Sequence, residues 1–142
     1  MAMIDLKIPV TRIMTSSPKT VKVDSPASEL DTLFRENRIH HVPVVDEDGK
    51  VVGIVSKSDF LYLLRGYTHH ESDRFREMAK LRAFKVLELM QTEVETLPDT
   101  ATVQDAVRLL AQNRYQALPV TTSEQAIAGI VTTHDIIDLL NE

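Results

Sequence analysis

GIVSKSDFLYLL, residues 53–64, and GIVTTHDIIDLL, residues 129–140, are one phrase written twice. Each starts on a glycine and a short apolar stretch. Each then meets a hydroxyl residue, an Asp three positions later and a mostly apolar run. The offset is 129 minus 53, or 76 residues. The same offset relates Pro43 to Pro119, Met14 to Met90, and Asn37-Arg38 to Asn113-Arg114. Without a gap, 10–66 aligns with 86–142. Sporadic identity does not hold register over such a span, so the chain is an internal duplication.

Working outward from that phrase, each repeat reads in the same order. In repeat 1, VTRIMT is a short helical piece and KTVKV an extended one, with Val21 and Val23 alternating. Ser25-Pro26 starts a helix, proline being tolerated in a first turn. Leu30, Leu33 and Phe34 give that helix one apolar face. HHVPVVD reads as a buried strand, DEDGK as a turn in which Gly49 supplies positive φ, and VVGIVS as the return strand. KSDFLYLL is the closing helix. Repeat 2 matches it with VLELMQ, VETLP, a helix carrying Val103, Ala106, Val107 and Leu110, the strands ALPVT and IAGIVT, and the helix THDIIDLL. TTSEQ has no glycine where DEDGK has one, so the second hairpin loop is expected to differ.

The fold class is therefore α+β: two β-α-β-β-α repeats, residues 1–66 and 86–142, with 67–85 as connector. A unit of that size buries little surface alone. The expected solution packs the two sheets about a pseudo-twofold axis. In the connector, Phe75, Met78, Ala79 and Arg82 fall at helical spacing, after a loop at 66–70.

Composition removes several function classes. The 142 residues are 43% apolar, contain no Cys and no Trp, and carry a net charge of −5. No disulfide, thiolate metal site or Cys nucleophile is available, and the lack of Cys fits a reducing cytoplasm. A duplex-binding domain normally carries a positive excess, so nucleic acid is not the expected partner. No apolar run approaches the ~20 residues of a membrane span, and MAMIDLKIPVTRIM has no signal-peptide pattern. No P-loop, GxGxxG fingerprint or nucleophile–base–acid set is visible. His40-His41 sit on a strand, where neighbours face opposite ways, and cannot share an ion. His69, His70 and Glu71 could, but lack a third fixed ligand, so no metal is expected.

Two copies of β-α-β-β-α, each with an apolar-Pro-Val strand and a Gly-(apolar)-(apolar)-Ser/Thr-x-x-Asp junction, resemble a tandem pair of CBS domains, the Bateman module. The resemblance covers nearly the whole chain. Its most specific element is the duplication with both junctions in register.

The junctions SKSD and TTHD admit two readings. In one, Ser56 or Thr132 accepts a bond from an orphan helix N–H while Asp59 or Asp135 reaches back, a capping box worth roughly 1 kcal/mol. In the other, the helix N-terminus and hydroxyl receive a phosphate, and the carboxylate accepts from two vicinal ribose hydroxyls. The resemblance implies the second: Asp59 and Asp135 on ribose, Ser56 and Thr132 near phosphate. It also implies an adenine ring in the cleft between repeats, against Ile54, Val55, Ile130 and Val131. The leading strand of each site would come from the opposite repeat, Thr20-Val21 with Asp135 and Thr96-Leu97 with Asp59. Residues ahead of the strand proline reach phosphate in related modules; here they are Arg38, His40 and His41 in repeat 1, and Arg114 and Gln116 in repeat 2. Ala117 replaces His41, so the two sites are expected to be non-equivalent. His134 could also face a phosphate. Ser58 and His134 stand where many relatives carry Arg.

These features imply a non-catalytic regulatory module for an adenine nucleotide (AMP, ADP or ATP) or S-adenosylmethionine, read by a separate client protein. The alternatives are a ligand-free interaction scaffold and, less favoured by the residues, a small hydrolase or metalloenzyme. DFLYLL and DIIDLL are apolar around more than half of their helices, which calls for cover on a second side. A homodimer through the closing helices is the expected arrangement.

Overall fold

The computed structural model describes residues 4–64 and 71–142, excepting the side chains of 71–73. Its elements run β1 (Thr15–Ser16), β2 (Val21–Lys22), α1 (Ser28–Glu36), β3 (His41–Val45), β4 (Val51–Ser56), α2 (Lys57–Leu63), α3 (Glu71–Ala83), β5 (Leu97–Pro98), α4 (Val103–Leu110), β6 (Ala117–Thr121), β7 (Ile127–Thr132) and α5 (Thr133–Leu140). Single 3-10 turns occupy Val10–Arg12 and Val86–Glu88. Each repeat thus carries β-α-β-β-α, as its sequence reads. Among the described residues no helix is long and apolar enough to cross a membrane.

The chain forms two compact units, Met1–Pro18 with Gly49–Val51 and Val94–Glu142, and Lys19–Asp48 with Val52–Glu93. Each body therefore incorporates the opening segment of the other repeat. The sheets follow the same division, with strand orders β2-β3-β4 and β1-β7-β6-β5.

In the β2–β4 unit, β2 lies parallel to β3, with Val21 opposite Val44. Parallel neighbours need a crossover, and α1 supplies it. Its buried face is Leu30 and Phe34, joined by Val21, Val42, Val44, Val55, Phe60, Leu81 and Val86. The Phe34 and Phe60 rings sit 5.4 Å apart, tilted by 43°. Gly49 has φ +80°, as the β3–β4 turn requires.

The helix α1 starts at Ser28, later than Ser25-Pro26 suggests. The residues before it are tied to the segment that follows α3: the Ala27 N–H donates to the Phe84 carbonyl at 2.8 Å, the Val86 N–H to the Ser25 carbonyl at 2.8 Å, and Pro26 bridges Lys85.

In the second unit β5 is parallel to β6, and β7 is antiparallel to both β6 and β1. Val10, Leu97, Ala101, Ala106, Leu118, Val120 and Val131 form its core. Position by position, Val10, Val21, Val42, Val44 and Val55 in one repeat match Val86, Leu97, Leu118, Val120 and Val131 in the other, and all ten are buried. The β6–β7 loop differs less than its sequence suggests. Gln125, aligned with Gly49, also takes positive φ, +67°. The Thr122 hydroxyl accepts from the Glu124 and Ala126 N–H groups, much as Asp46 accepts from Asp48 in the first loop. Both loops thus share a side-chain turn at their first position, with or without the glycine.

The repeated glycines are required by close approach. A Cβ on Gly53 would stand 2.6 Å from the Met90 sulfur and 3.0 Å from the Gln91 carbonyl oxygen. At Gly129 it would meet the Met14 sulfur, closer still, and the Thr15 carbonyl oxygen at 2.9 Å. The repeated methionines and glycines are thus partners, each pair joining one repeat's opening to the other's return strand.

The connecting helix is present as α3, and the residues at helical spacing do not all share its buried face. Phe75 is 76% exposed and Ala79 is exposed, whereas Leu81 is fully buried and Met78 partly so. Glu77 is also buried, because α3 docks on α1 through ion pairs. Arg74 bonds Glu77 at 2.6 Å and Asp31 at 2.9 Å, while Arg35 bonds Asp31 at 2.8 Å and Glu77 at 3.4 Å. Burial alone would raise the Asp31 carboxyl, but the Arg74 and Arg35 hydrogen bonds outweigh it and hold it below the ordinary value of 3.8.

Asp31→Ala is expected to destabilise the chain by about 1–3 kcal/mol in urea unfolding, since it strips charged hydrogen bonds from a buried site. Combined with Arg74→Ala, the two losses should be clearly non-additive. A lowered carboxyl stabilises above its unfolded value and stops doing so as pH falls through the folded one. Asp31→Asn should therefore lack part of the acid-side loss below pH ~4. Gly53→Ala and Gly129→Ala should each cost about 1–3 kcal/mol, where a free strand position would gain from the change. Shortening the facing methionine should not restore wild-type stability, because the backbone oxygen remains in the way.

Candidate functional site

Both junctions place a helix start directly after the return strand. In repeat 1 Ser56 caps α2, its hydroxyl accepting from the Asp59 N–H at 3.0 Å. The Asp59 carboxylate turns elsewhere and accepts from the Gln91 side-chain amide at 3.2 Å. In repeat 2 the Asp135 carboxylate folds back on its own cap, accepting from the Thr132 N–H at 2.8 Å and hydroxyl at 3.1 Å. The capping-box reading of Asp135 is thus realised in the structure, and Asp59 departs from it. Thr102 and Asp105 make the same box at the start of α4, away from either junction. There the Thr102 backbone and hydroxyl bonds lower the Asp105 carboxyl.

Repeat 1 brings several of the expected residues together. His41, at the start of β3, is half-buried. Burial first, and then neighbouring His40, lower its imidazole, while Asp59 pulls in the opposite direction. His41 and Asp59 therefore share one electrostatic environment. His40 is exposed, and its carbonyl accepts the first α2 N–H, from Lys57, at 2.7 Å. Beside Asp59 opens a shallow groove of about 290 Å³, lined by Asp59, Tyr62, Leu63, Glu88, Leu89 and Gln91. That is the lower end of sizes for small-molecule clefts.

Other expected residues are placed less favourably. Val21 and Leu97 are 3% and 4% exposed and belong to the cores of their units, as do the fully buried Val55 and Val131. Ile130 is buried and Ile54 half-buried; Thr20 is half-buried and Thr96 exposed. Arg38 is exposed. Arg114 stacks over the Tyr115 ring at 5.7 Å, and the Gln116 carbonyl accepts the Thr133 N–H. His134 is 78% exposed and pairs with Asp138 at 3.3 Å, one helical turn on. His69 and His70, and the Glu71 side chain, lie outside the described residues.

Gln91 is the site residue that sequence reasoning missed. It stands at the start of the second repeat, where the motif gives it no role, and its equivalent is Thr15. Its place follows from two backbone hydrogen bonds with Ile54, at 2.9 and 3.1 Å.

The comparisons agree with this architecture. The CBS domain family model matches residues 10–66 and 86–142. A CBS domain-containing protein of Dictyostelium discoideum is 30% identical, over 95% of this chain and 92% of its own length. The CBS domain of a CBS domain-containing membrane protein from Sphaerobacter thermophilus superposes with a TM-score of 0.81 at 23% identity, over 94% of this chain and 88% of that one. The CBS-pair protein CBSX2 of Arabidopsis thaliana, solved in complex with AMP, superposes at 0.74 with 26% identity, over 94% and 96%. With its two matched segments in register and each carrying its own sheet and helices, the chain belongs to the CBS domain family as a tandem pair.

Proposed function

We propose that this chain is a non-catalytic regulatory module that binds an adenine nucleotide or adenosyl ligand and reports its occupancy to a client protein. Asp59 and Asp135 are the ribose-binding carboxylates, Ser56 and Thr132 lie toward phosphate, and His41 completes the repeat-1 site. The observation that carries the reading is the shared position of Asp59 and Asp135. Each opens a helix directly after a return strand, in a chain similar to a protein solved with AMP. A carboxylate beside helix N–H groups suits a sugar with a phosphate attached. Ligand shifts the module only through unequal affinity for its two states.

Leu61 and Tyr62 on α2, and Ile137 and Leu140 on α5, are each more than half exposed. We assign these faces to a homodimer contact with a second copy.

A second reading is favoured by the Thr132–Asp135 box: an interaction scaffold in which the junctions only start helices. Thermal unfolding separates the two. A ligand at ~100 times its Kd adds roughly 2.7 kcal/mol, several degrees in melting temperature for a chain of this size. At millimolar concentration, AMP, ADP, ATP or S-adenosylmethionine should raise the transition. Asp59→Ala or Asp135→Ala should abolish the rise at its own site. No shift with any of the four leaves the scaffold reading standing alone.

The imidazole of His41 supplies a pH test. Its folded value is lowered from 6.5, so the unfolded chain holds the extra proton. His41 therefore favours folding above pH ~6.5, and that contribution is lost as pH falls through the folded value. A bound phosphate acts oppositely, drawing a proton onto the ring. AMP affinity should rise as pH drops from 7.5 to 6, beyond what phosphate's own titration gives. His41→Gln should remove that excess; an unchanged profile would take His41 out of the site.

A further inference from the structure

We infer that Gln91 is a positioning residue that gates the Asp59 site, holding its carboxylate until a vicinal diol displaces the amide. This rests on the reading of Asp59 as the ribose carboxylate.

The two repeats form a natural comparison. At one position the residue opposite the return-strand isoleucine is Gln91, paired with Ile54; at the other it is Thr15, paired with Ile130. The backbone register is the same, and both bodies continue into a helix with Asp at its third position. The side chain opposite the isoleucine differs in reach. Gln extends two carbons further than Thr and ends in an amide donor. Where the long donor is present, the carboxylate leaves the cap and turns to it, at 3.2 Å. Where it is absent, the carboxylate folds onto Thr132.

The helix does not need the Asp59 carboxylate, because the Ser56 hydroxyl already accepts from the Asp59 N–H. What the carboxylate loses to Gln91 is one acceptor position and its free rotation. A bidentate grip on two adjacent hydroxyls needs both oxygens turned to the sugar. The amide fixes the carboxylate's orientation, so a ligand that turns it to the sugar breaks that contact. Gln91 is exposed, so water takes over its amide when it is released. The cost of the exchange is that of one ordinary hydrogen bond, which translates into a few-fold in affinity.

The test uses the full chain carrying Asp135→Ala, so that only the Asp59 site is read, with AMP and 2′-deoxy-AMP titrated by calorimetry. Gln91→Thr, which copies the other repeat, and Gln91→Met, which keeps length without a donor, should both tighten AMP by roughly 3–10-fold. The gain should be smaller for 2′-deoxy-AMP, which presents no diol; a purely structural role would move both alike. In the free chain, Asp59→Ala should move the Gln91 side-chain amide resonances, which report the contact. If Asp59→Ala abolishes AMP binding but neither Gln91 variant tightens it, the gate is refuted and the ribose reading stands. If Asp59→Ala leaves binding unchanged, or none of these chains binds AMP, the ribose reading at Asp59 fails and takes the gate with it. Circular dichroism on each variant assigns any loss to unfolding, and then the paired variant decides.

Discussion

The structure depends on two places where a methionine lies against a glycine. Met90 covers Gly53 and Met14 covers Gly129, and in each case a neighbouring backbone carbonyl also lies within about 3 Å of where a Cβ would stand. No side chain larger than hydrogen fits beneath. The close approach lets Thr15 and Gln91 pair with the return strands, and the pairing commits each repeat's opening to the other's body. Neither repeat is therefore a compact unit as a contiguous stretch. A glycine that reads as part of a strand-to-helix motif serves first to admit a second segment.

The connector extends the same logic in the β2–β4 unit. The Arg74 ion pairs begin a run of attachments that continues through Phe84, Val86 and Leu87, hydrogen-bonded to Ala27, Ser25 and Val23. It ends at Gln91 on Ile54. Asp31 in that network aligns with Val107 in the other repeat. A buried carboxylate stands where the duplicate has an apolar residue because α3 brings Arg74 to meet it. Such a network adds little over an apolar pair, but its loss leaves buried charge unpaired. Its contribution is to fix where α3 lies, and with it the segment that delivers Gln91.

Much of this was legible in the sequence. The offset between Gly53 and Gly129 gave the repeat, and the period of the apolar residues gave α1, α4 and the buried strands. The junction motif located Ser56, Asp59, Thr132 and Asp135. What escaped reading depends on partners far apart in the chain. Phe75 has the spacing of a core residue yet faces outward, because α3 meets α1 through charges. Asp31 and Arg74 carry no mark of each other across 43 residues. Gln125 takes a backbone conformation that usually announces itself by glycine. The reach of Gln91 to Asp59 follows from strand register, which composition does not encode. Val55 and Val131, candidates for the wall against adenine, are as buried as their core neighbours, and apolar type alone could not separate the two roles.

The duplicated junctions show why a motif does not fix a function by itself. In Thr102–Asp105 and Thr132–Asp135 alike the carboxylate accepts from the threonine N–H and hydroxyl, and only the second stands at a strand-to-helix junction of the repeat. A capping box is worth about 1 kcal/mol, so it competes with a ligand on nearly equal terms. A diol offering two hydroxyls to one carboxylate can displace it; water, already plentiful, does not. At Asp59 the competitor is a side chain from the other repeat's opening segment, so its strength can change without touching the helix. The same three-residue spacing thus yields one carboxylate governed by its own helix and one governed by a distant strand. That difference lies in Thr15 and Gln91, outside the motif that makes the repeats look alike.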